Sequence, residues 1–476
     1  MKNRLFFKIF STGLNFILSI IIGVLVPRAI GPLYYGDFSY IVSTYSFLFQ
    51  FLMFSTGTAY IFFISQKKYN IAYLNFIYLL FLFLIYFIVF LIVFITIHSD
   101  FSIKYLWNGL SDKYLLYLGF IFGILTNLQQ SFILFSDSTA QTILSEKVIL
   151  FSKIVLVIII IYFIYENSLN IYRYFILLIF TLILFFILFF KYISFDIKLV
   201  DKREFIVIVN DFFHYLKPLI FFTLIASIYS YLGKYILQAT SGSLEQGYYT
   251  FAFQLALIPV TFLSSIMAIY MSEMTKKFQN KDIQGVREIF LEHIFKIYTI
   301  HLFLSCFMLI NAKDIILITV GTDYLGATEA LQGLTIFSLF HTFGMFSRNI
   351  FLSSGRTREY SIINALFMLL GIVYLIYILL GHYILTAMHL SIIMACFYVL
   401  RVLVQLYFNF NFLKIDKMAF VLELIFITLI VFFVLAGVNL MDYNIFGNLL
   451  LSMVVLVVIN YLFDDYIEFQ KLIKRS

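Results

Sequence analysis

Residues 31–40 read GPLYYGDFSY, and residues 242–251 read GSLEQGYYTF. The two segments lie 211 positions apart and share, in the same order, glycine, leucine, glycine, an aromatic residue, a hydroxyl residue and a second aromatic residue. Each segment follows an apolar run of helical length and begins the next one. Self-similarity at this spacing predicts that one helical bundle has been duplicated within the chain.

The composition identifies the solvent around most of the chain. Of its 476 residues, 63% are hydrophobic and only 12% are charged, and the mean hydropathy is +1.01. So few charged groups could not cover a soluble domain of this size, which predicts a membrane protein. The first apolar run ends near Val26 and is followed by Pro27 and Arg28 rather than by a small-residue cleavage site, so we expect a retained first helix.

Apolar runs of membrane-spanning length recur along the whole chain. A crossing needs about 20 apolar residues, and these runs are too long and too continuous for the strands of a barrel. We therefore predict an all-α integral membrane protein with fourteen transmembrane helices, at residues 6–26, 37–65, 72–97, 114–136, 145–165, 172–192, 214–237, 247–273, 288–310, 326–352, 360–380, 383–410, 418–438 and 444–464.

The basic residues test this count. With the N-terminus placed inside, the inner side of the membrane, including the ends of the adjoining spans, collects 21 of the 32 lysines and arginines, the outer side collects 5, and the remaining 6 lie farther inside spans. One missed span would destroy this asymmetry, so it supports both the count and an orientation with both termini cytoplasmic. The net charge of +7 is spread over many short loops and gives no reason to expect nucleic acid as a partner.

A second, fainter echo extends the repeat. Residues 134–139, LFSDST, match residues 352–357, LSSGRT, after spans four and ten. Both echoes are displaced by six spans, an even number, so the two copies enter the membrane in the same direction. We predict a six-helix bundle at 1–195, a second at 205–412, and two additional spans with a cytoplasmic tail at 413–476.

Fourteen spans arranged as six, six and two resemble the multidrug/oligosaccharidyl-lipid/polysaccharide exporter (MOP) superfamily. The segment IGPLYYGDFS at residues 30–39 resembles the hallmark of its bacterial polysaccharide flippases, the Wzx or O-antigen transporter type. The resemblance covers the whole chain in layout, and in actual motif it rests on residues 27–40, 242–251 and the loops after spans four and ten.

The resemblance implies translocation of an undecaprenyl-pyrophosphate-linked oligosaccharide to the outer leaflet of the bacterial cytoplasmic (inner) membrane, within O-antigen or lipopolysaccharide biosynthesis. It also implies the polysaccharide polymerase and the chain-length regulator as partners, beside membrane lipids. Two readings within the superfamily stay open: a lipid II flippase, and a drug or metabolite cation antiporter, although antiporters usually have twelve spans and a buried acid. A membrane-embedded polymerase or ligase would usually show a larger outer loop than the one near residues 98–113.

Basic residues inside the spans are the candidate substrate-binding groups, because a pyrophosphate cannot cross hydrocarbon unless protein charge replaces its water. Lys153, Lys296 and Arg401 lie about 12–14 Å from the cytoplasmic ends of their spans, at 1.5 Å per residue, which favours exposure to a cavity. Arginine binds phosphate in a bidentate manner, so Arg401 and Arg348 are the preferred pyrophosphate ligands.

Two further basic residues lie toward the outer side. Lys234 is near the outer end of span seven, and Arg28 is at the outer mouth. For both, a purely structural or surface role stays open beside substrate binding.

Two carboxylates are candidates for gating or ion coupling. Asp37 opens span two, and Glu329 lies near the outer end of span ten; either could pair with Lys234 or Arg28, bind a coupling proton, or be an ordinary interfacial group.

Span four also carries amides and small residues. Its Asn127, Gln129 and Gln130 could contact sugar hydroxyls or hold helices together, and the glycines at both ends of residues 119–123 predict a helix-packing face.

No motif points to catalysis. The histidines lack metal-ligand spacing, and nucleotide-binding and nucleophile motifs are absent, so we expect neither an enzyme nor a metal site nor a cofactor. The energy source is then expected to be an ion gradient, of protons or sodium, a voltage, or the downhill use of substrate.

Overall fold

The computed structural model describes residues 2–139, 141–439 and 447, with side chains in these ranges except at 2–9, 218, 262–266, 268–269, 436 and 438–439. All regular structure in this part of the chain is helical. Its helices are α1 (Lys2–Met53), α2 (Thr56–Gln66), α3 (Ile71–Ile97), α4 (Asp100–Tyr105), α5 (Lys113–Ser138), α6 (Thr142–Tyr165), α7 (Ile171–Tyr192), α8 (Lys202–Gln279), α9 (Ile283–Ile310), α10 (Ala312–Thr319), a 3-10 helix (Thr322–Ala327), α11 (Thr328–Ser353), α12 (Thr357–Leu380), α13 (Ala387–Leu413) and α14 (Lys417–Asn439).

The predicted all-α membrane class is confirmed. Ten helices of the described residues are long and apolar enough to cross a membrane, so this is a multi-pass membrane protein. Helix α11 coincides with predicted span ten but is not apolar enough to count among the ten. The predicted span at 444–464 lies outside the described residues, apart from residue 447.

Helices α1 and α8 are each long enough for two crossings. A straight helix of 52 residues, the length of α1, would extend about 78 Å, far beyond the hydrocarbon core of about 30 Å. Each helix is broken at the first glycine of the duplicated segment: Gly31 has φ 80° and ψ 165°, and Gly242 has φ 77° and ψ −171°. The sequence repeat is therefore a repeat of backbone conformation, one that glycine adopts without a Cβ clash.

The order of the long helices repeats in the same register. The broken α1 is followed by α3, α5, α6 and α7, and the broken α8 is followed by α9, α11, α12 and α13, leaving α14 over. The fainter echo marks equivalent places, because residues 134–139 end α5 and residues 352–357 lead from α11 into α12. The division into bundles at 1–195 and 205–412 stays a prediction.

By their contacts, the described residues form two compact units. Unit 1 comprises Met1–Thr250 and Ile372–Thr386, and unit 2 comprises Phe251–Gly371 and Ala387–Ser476.

Unit 1 has an aromatic core around the chain's one tryptophan. Trp107 is fully buried, with its ring centre 5.6 Å from that of Tyr45. The predicted packing face of α5 is present: a Cβ at Gly119 would lie 2.2 Å from Ile41 Cγ2, and one at Gly123 would lie 2.9 Å from the Phe49 ring. The second half of α1 can therefore approach α5 closely only because these positions are glycine.

An exposed ion pair holds the first turns of α8 in unit 1. The Lys68 ammonium, in the loop after α2, binds the carboxylate of Asp211 in α8, and the Tyr69 hydroxyl donates to the same carboxylate. These hydrogen bonds, that from Lys68 first, hold the pKa of Asp211 below its ordinary value. The pair thus links α8 to the loop between α2 and α3.

Unit 2 packs α11 against α13 through small residues. A Cβ at Gly333 would lie 3.2 Å from Ser391 Cβ, and one at Gly344 would lie 2.5 Å from the Tyr398 hydroxyl. Buried aromatic rings of α9 and α11, including Phe290 and Phe346, fill the core beside this contact. The two glycines therefore determine which side chains of α13 reach α11.

Candidate functional site

The two duplicated segments contact each other within unit 1. A Cβ at Gly36 would lie 1.7 Å from the Ser243 carbonyl oxygen, and one at Gly247 would lie 2.0 Å from the Pro32 carbonyl oxygen. Both second glycines of the repeat are thus needed for close approach of two backbones, whereas both first glycines are needed for their positive φ. The repeat is a contact surface as well as a pair of helix breaks.

Polar side chains of the two segments are paired across this contact. The Ser243 hydroxyl donates to the Asp37 carboxylate, and Gln238 Nε2 donates to Ser243 Oγ at 2.8 Å. Ser39 and Thr250, equivalent positions of the repeat, join their hydroxyls at 2.5 Å. The candidate gating carboxylate Asp37 is therefore engaged by the second copy of the segment rather than by Lys234 or Arg28, the partners considered from sequence.

Lys234 lies beside this contact in a hydroxyl-rich environment. Its Nζ donates to Ser43 Oγ at 3.0 Å, and in the described part of the chain it has no ion-pair partner. One helical turn before it, the Tyr231 hydroxyl is 3.1 Å from Thr44 Oγ1 and its ring stacks at 4.5 Å on Phe47. An ammonium group inside a span without an acidic partner is costly and leaves its charge available to an anion.

Lys153 connects α6 to the first half of α1. Its Nζ donates to the Asn15 carbonyl oxygen at 3.0 Å and to Ser19 Oγ at 2.5 Å. Four residues apart on one face of α1, these two acceptors supply a neutral site for the ammonium group. Lys153 therefore stabilises a helix contact in this structure, and its predicted role in substrate binding stays a prediction.

A cavity of about 630 Å³ lies in unit 1 among α1, α2, α5 and the first half of α8. Two helices present polar pairs at i and i+4, which share a face: Ser46 and Gln50 on α1, and Thr126 and Gln130 on α5. Among the described residues, every polar lining side chain is a hydroxyl or an amide and none is ionisable; they are Ser46, Gln50, Ser55, Thr56, Thr58, Thr126, Asn127, Gln130 and Thr223.

Part of the cavity lining comes from a strained stretch of backbone between α1 and α2. Phe54 and Ser55, between α1 and α2, have φ of 45° and 62°, a region that a bulky residue adopts at a cost of about 1–3 kcal/mol. The break directs Ser55, Thr56 and Thr58 to the cavity, and Ser55 Oγ is 2.5 Å from Thr223 Oγ1 of α8. Backbone strain of this kind concentrates at functional sites.

The three amide side chains of α5 named from sequence have different surroundings in the structure. Gln130 lines the cavity and is exposed, whereas Gln129 is not part of the lining. Asn127 also lines it, but its side chain accepts from the Tyr86 hydroxyl at 3.0 Å and donates to Met53 Sδ at 3.1 Å. Of the three, Gln130 is thus best placed to contact a ligand, and Asn127 contributes to helix packing.

In unit 2, Arg401 and Tyr398 of α13 adjoin His341 of α11. The Tyr398 hydroxyl is 2.9 Å from His341 Nδ1, and the Arg401 guanidinium lies 4.5 Å from the centre of the Tyr398 ring. Both Arg401 and Arg348 are close enough to His341 to act on it electrostatically. Arg348 is exposed, and the buried Nε of Arg401 has no hydrogen-bond partner among the described residues.

The remaining predicted residues lie on α1, α9 and α11. Lys296 is on α9 and acts electrostatically on Tyr270 of α8, as do Glu273 of α8 and Glu292 of α9. Arg28 is exposed three residues before the break at Gly31, and Glu329 is exposed in the first turn of α11. Their predicted roles stay predictions.

Sequence reasoning missed His341 and Tyr398. Helical spacing could have indicated both, since His341 precedes Arg348 by two turns and Tyr398 precedes Arg401 by one. It also missed the hydroxyls of residues 46–58, because serine and threonine are common in membrane helices and carry no distinctive spacing.

No family model and no curated protein matches this chain. Among solved structures, the fold is similar to the lipid II flippase MurJ in an inward closed conformation, with a TM-score of 0.71 and 15% identity over 98% of this chain and 100% of that chain. It is also similar to an inward-facing multidrug resistance MATE family transporter of the MOP superfamily, with a TM-score of 0.60 and 14% identity over 86% of this chain and 96% of that chain. At these identities the likeness concerns the fold alone: this chain has a fold similar to those of the MurJ flippase and the MATE transporter.

Proposed function

We propose that the protein is a flippase that moves an undecaprenyl-pyrophosphate-linked oligosaccharide, a repeat unit of O-antigen or a similar surface polysaccharide, from the cytoplasmic to the outer leaflet of the bacterial inner membrane. The observation that carries the proposal is the uncharged polar cavity of unit 1. Hydroxyl and amide side chains both donate and accept hydrogen bonds, as sugar hydroxyls do, so such a lining suits a glycan.

The same lining argues against a cation antiporter. A cationic drug or metabolite released from water needs a compensating negative charge, and no carboxylate in the described part of the chain lines this cavity. Both MurJ and the proposed flippase act on a lipid-linked saccharide, so the cavity does not separate lipid II from a surface polysaccharide precursor. The segment at residues 30–39, with its resemblance to polysaccharide flippases, favours the latter.

Two arginines of unit 2, Arg401 and Arg348, support a diphosphate-bearing cargo. Arg401 offers an unsatisfied Nε donor, and Arg348 contributes a second guanidinium near the same histidine. Two arginines can bind phosphate oxygens through paired hydrogen bonds, which are about twice as strong as neutral ones. Lys234 in unit 1 provides a further ammonium group without a carboxylate partner.

The proposal is tested with the purified chain in proteoliposomes that contain a lipid-linked oligosaccharide. A membrane-impermeant glycan-cleaving enzyme reports how much glycan reaches the exposed leaflet. We expect the wild-type protein to move the glycan, and Gln130→Leu to slow it about three- to tenfold, the loss of about one hydrogen bond. Gln129→Leu, one residue away and outside the cavity lining, should leave the rate unchanged.

Three cargoes distinguish the candidate functions: an undecaprenyl-diphosphate oligosaccharide, lipid II and a cationic dye. Movement of lipid II alone would assign the protein to peptidoglycan synthesis instead. Uptake of the dye with no movement of either lipid would replace the flippase by an antiporter. In these liposomes, an imposed proton or sodium gradient tests the predicted coupling.

A further inference from the structure

A second, apolar cavity adjoins the polar one in unit 1. It has a volume of about 260 Å³ and lies between α3 and the first turns of α8. On α8 its lining residues Phe205, Val209, Phe212, Phe213 and Leu216 recur at helical spacing and form one stripe. We refer to this space as the α3–α8 groove.

The groove opens toward the surrounding lipid. Its α3 lining includes Leu80, Phe81 and Leu84, and the side chains of Leu80 and Leu84 are exposed, as are those of Val209 and Phe213 on α8. Helix α3 is one of the candidate membrane spans, and residues 77–84 lie about 9–20 Å along it from its start. A hydrocarbon chain could therefore enter the groove from the side, between α3 and the turns of α8 that precede the candidate span Leu219–Thr261.

One residue lines both spaces. Thr56 belongs to the polar cavity and to the α3–α8 groove, it is only 5% exposed, and its hydroxyl has no hydrogen-bond partner among the described residues. A buried hydroxyl without a partner is uncommon, and it indicates a place where a polar group of a ligand would complete the bonding. The Thr56 hydroxyl therefore lies at the boundary between the polar cavity and the apolar α3–α8 groove.

We propose that the α3–α8 groove holds the hydrocarbon tail of the lipid-linked cargo while its polar head occupies the cavity beside Thr56. This assignment rests on the proposed function, because it takes the occupant of the polar cavity to be the head of a lipid. A lipid with a glycan head offers many hydroxyl groups to the adjoining polar cavity, more than a bulk phospholipid does, and its tail matches the apolar lining. The protein then binds the tail specifically instead of leaving it in the bilayer.

The test uses the full chain in phospholipid nanodiscs with a polyprenyl-diphosphate-linked sugar that carries a diazirine on the first isoprene units. After illumination, mass spectrometry maps the labelled peptides. We expect labelling concentrated in residues 77–84 and 205–216, and an at least fivefold loss of it in Val209→Trp, which fills the groove. The matched control is Val207→Trp, because Val207 is likewise exposed on α8 but does not line the groove.

A second pair of variants keeps the test decisive if Val209→Trp does not fold. Leu84→Trp fills the groove from α3, and Phe83→Trp places the same ring on the exposed surface beside it. Labelling that persists in the folded groove-filling variants overturns the proposal. So does equal labelling of the groove by a diazirine phospholipid, because the site would then be a general lipid contact.

Failure of this inference differs from failure of the proposed function. If the wild-type protein moves the glycan but groove-filling variants are labelled as strongly as the wild type, only the α3–α8 groove is wrongly assigned. If the groove is labelled as expected but no glycan crosses in proteoliposomes, the flippase proposal falls and tail binding stands.

Discussion

Arg401 illustrates how one side chain acquires a binding role from its surroundings. Its guanidinium lies against the Tyr398 ring, its buried Nε lacks a partner among the described residues, and a second arginine lies near the same His341. An unsatisfied buried donor costs about 1–3 kcal/mol, a cost that an anionic ligand would remove. The planar guanidinium group of arginine matches the geometry of a phosphate and can donate two hydrogen bonds to it, which a charge alone does not provide.

Two substitutions at Arg401 distinguish the effect of its positive charge from the effect of its guanidinium geometry, because lysine keeps only the charge and alanine keeps neither. We expect Arg401→Lys to weaken binding of a polyprenyl diphosphate about 10-fold and Arg401→Ala about 100-fold, as a charge-assisted hydrogen bond contributes about 1.5–3 kcal/mol. Binding is measured by thermal shift of the purified protein across a ligand titration. Arg358→Ala, which removes an exposed arginine at the start of α12, is the control. Equal affinities for all three variants would remove Arg401 from the site.

At the scale of elements, the two glycines of each duplicated segment have different structural roles. Gly31 and Gly242 break α1 and α8 through positive φ, and Gly36 and Gly247 allow the broken ends to touch. Neither role tolerates a Cβ, for different reasons: the first is limited by local backbone sterics and the second by the neighbouring chain.

Adding a methyl group at Gly36 tests the contact between the two segments. We expect Gly36→Ala or Gly247→Ala to destabilise unit 1 by about 1–3 kcal/mol, because the new Cβ overlaps a backbone carbonyl that cannot move aside. Trp107, the one tryptophan and fully buried in unit 1, reports unfolding by fluorescence. Gly13→Ala, which meets nothing within 4 Å, should not lower stability. Unchanged unfolding in both segment variants would contradict the close contact.

On the scale of the whole molecule, the distribution of charge predicts topology. Twenty-one basic residues fall on the predicted inner side, including the ends of the adjoining spans, and 5 on the outer side. A bias of this size in short loops is what orients membrane proteins during insertion. Both termini are thereby predicted to be cytoplasmic.

Single cysteines in exposed loops test this orientation. After Cys306 and Cys396 are replaced by serine, we expect Lys68→Cys and Lys281→Cys to react with an impermeant maleimide only after the cells are opened. Lys104→Cys and Lys313→Cys should react in intact cells. All four lysines are exposed, so failure to react reflects sidedness rather than burial. The reverse pattern would invert the proposed direction of transport.

Much of the fold could be predicted from sequence because its determinants are local. The apolar runs, the glycine breaks and the order of helices in two copies all follow from spacing along the chain. The candidate site could be predicted only in part. Arg348 and Arg401 were recognised because a charge inside a span is rare, whereas His341 and Tyr398 were not, since their relevance depends on neighbours in another helix.

The sequence by itself determined an all-α, multi-pass, internally repeated membrane protein, because hydrophobic length and glycine conformation are properties of single segments. Only the tertiary structure decided that Gln130 rather than Gln129 lines a cavity, that Lys153 binds the first helix, and that Thr56 joins a polar space to an apolar one. The reason is physical: which face of a helix meets a partner depends on packing between distant segments, and an apolar helix in lipid carries little periodic signal of its own.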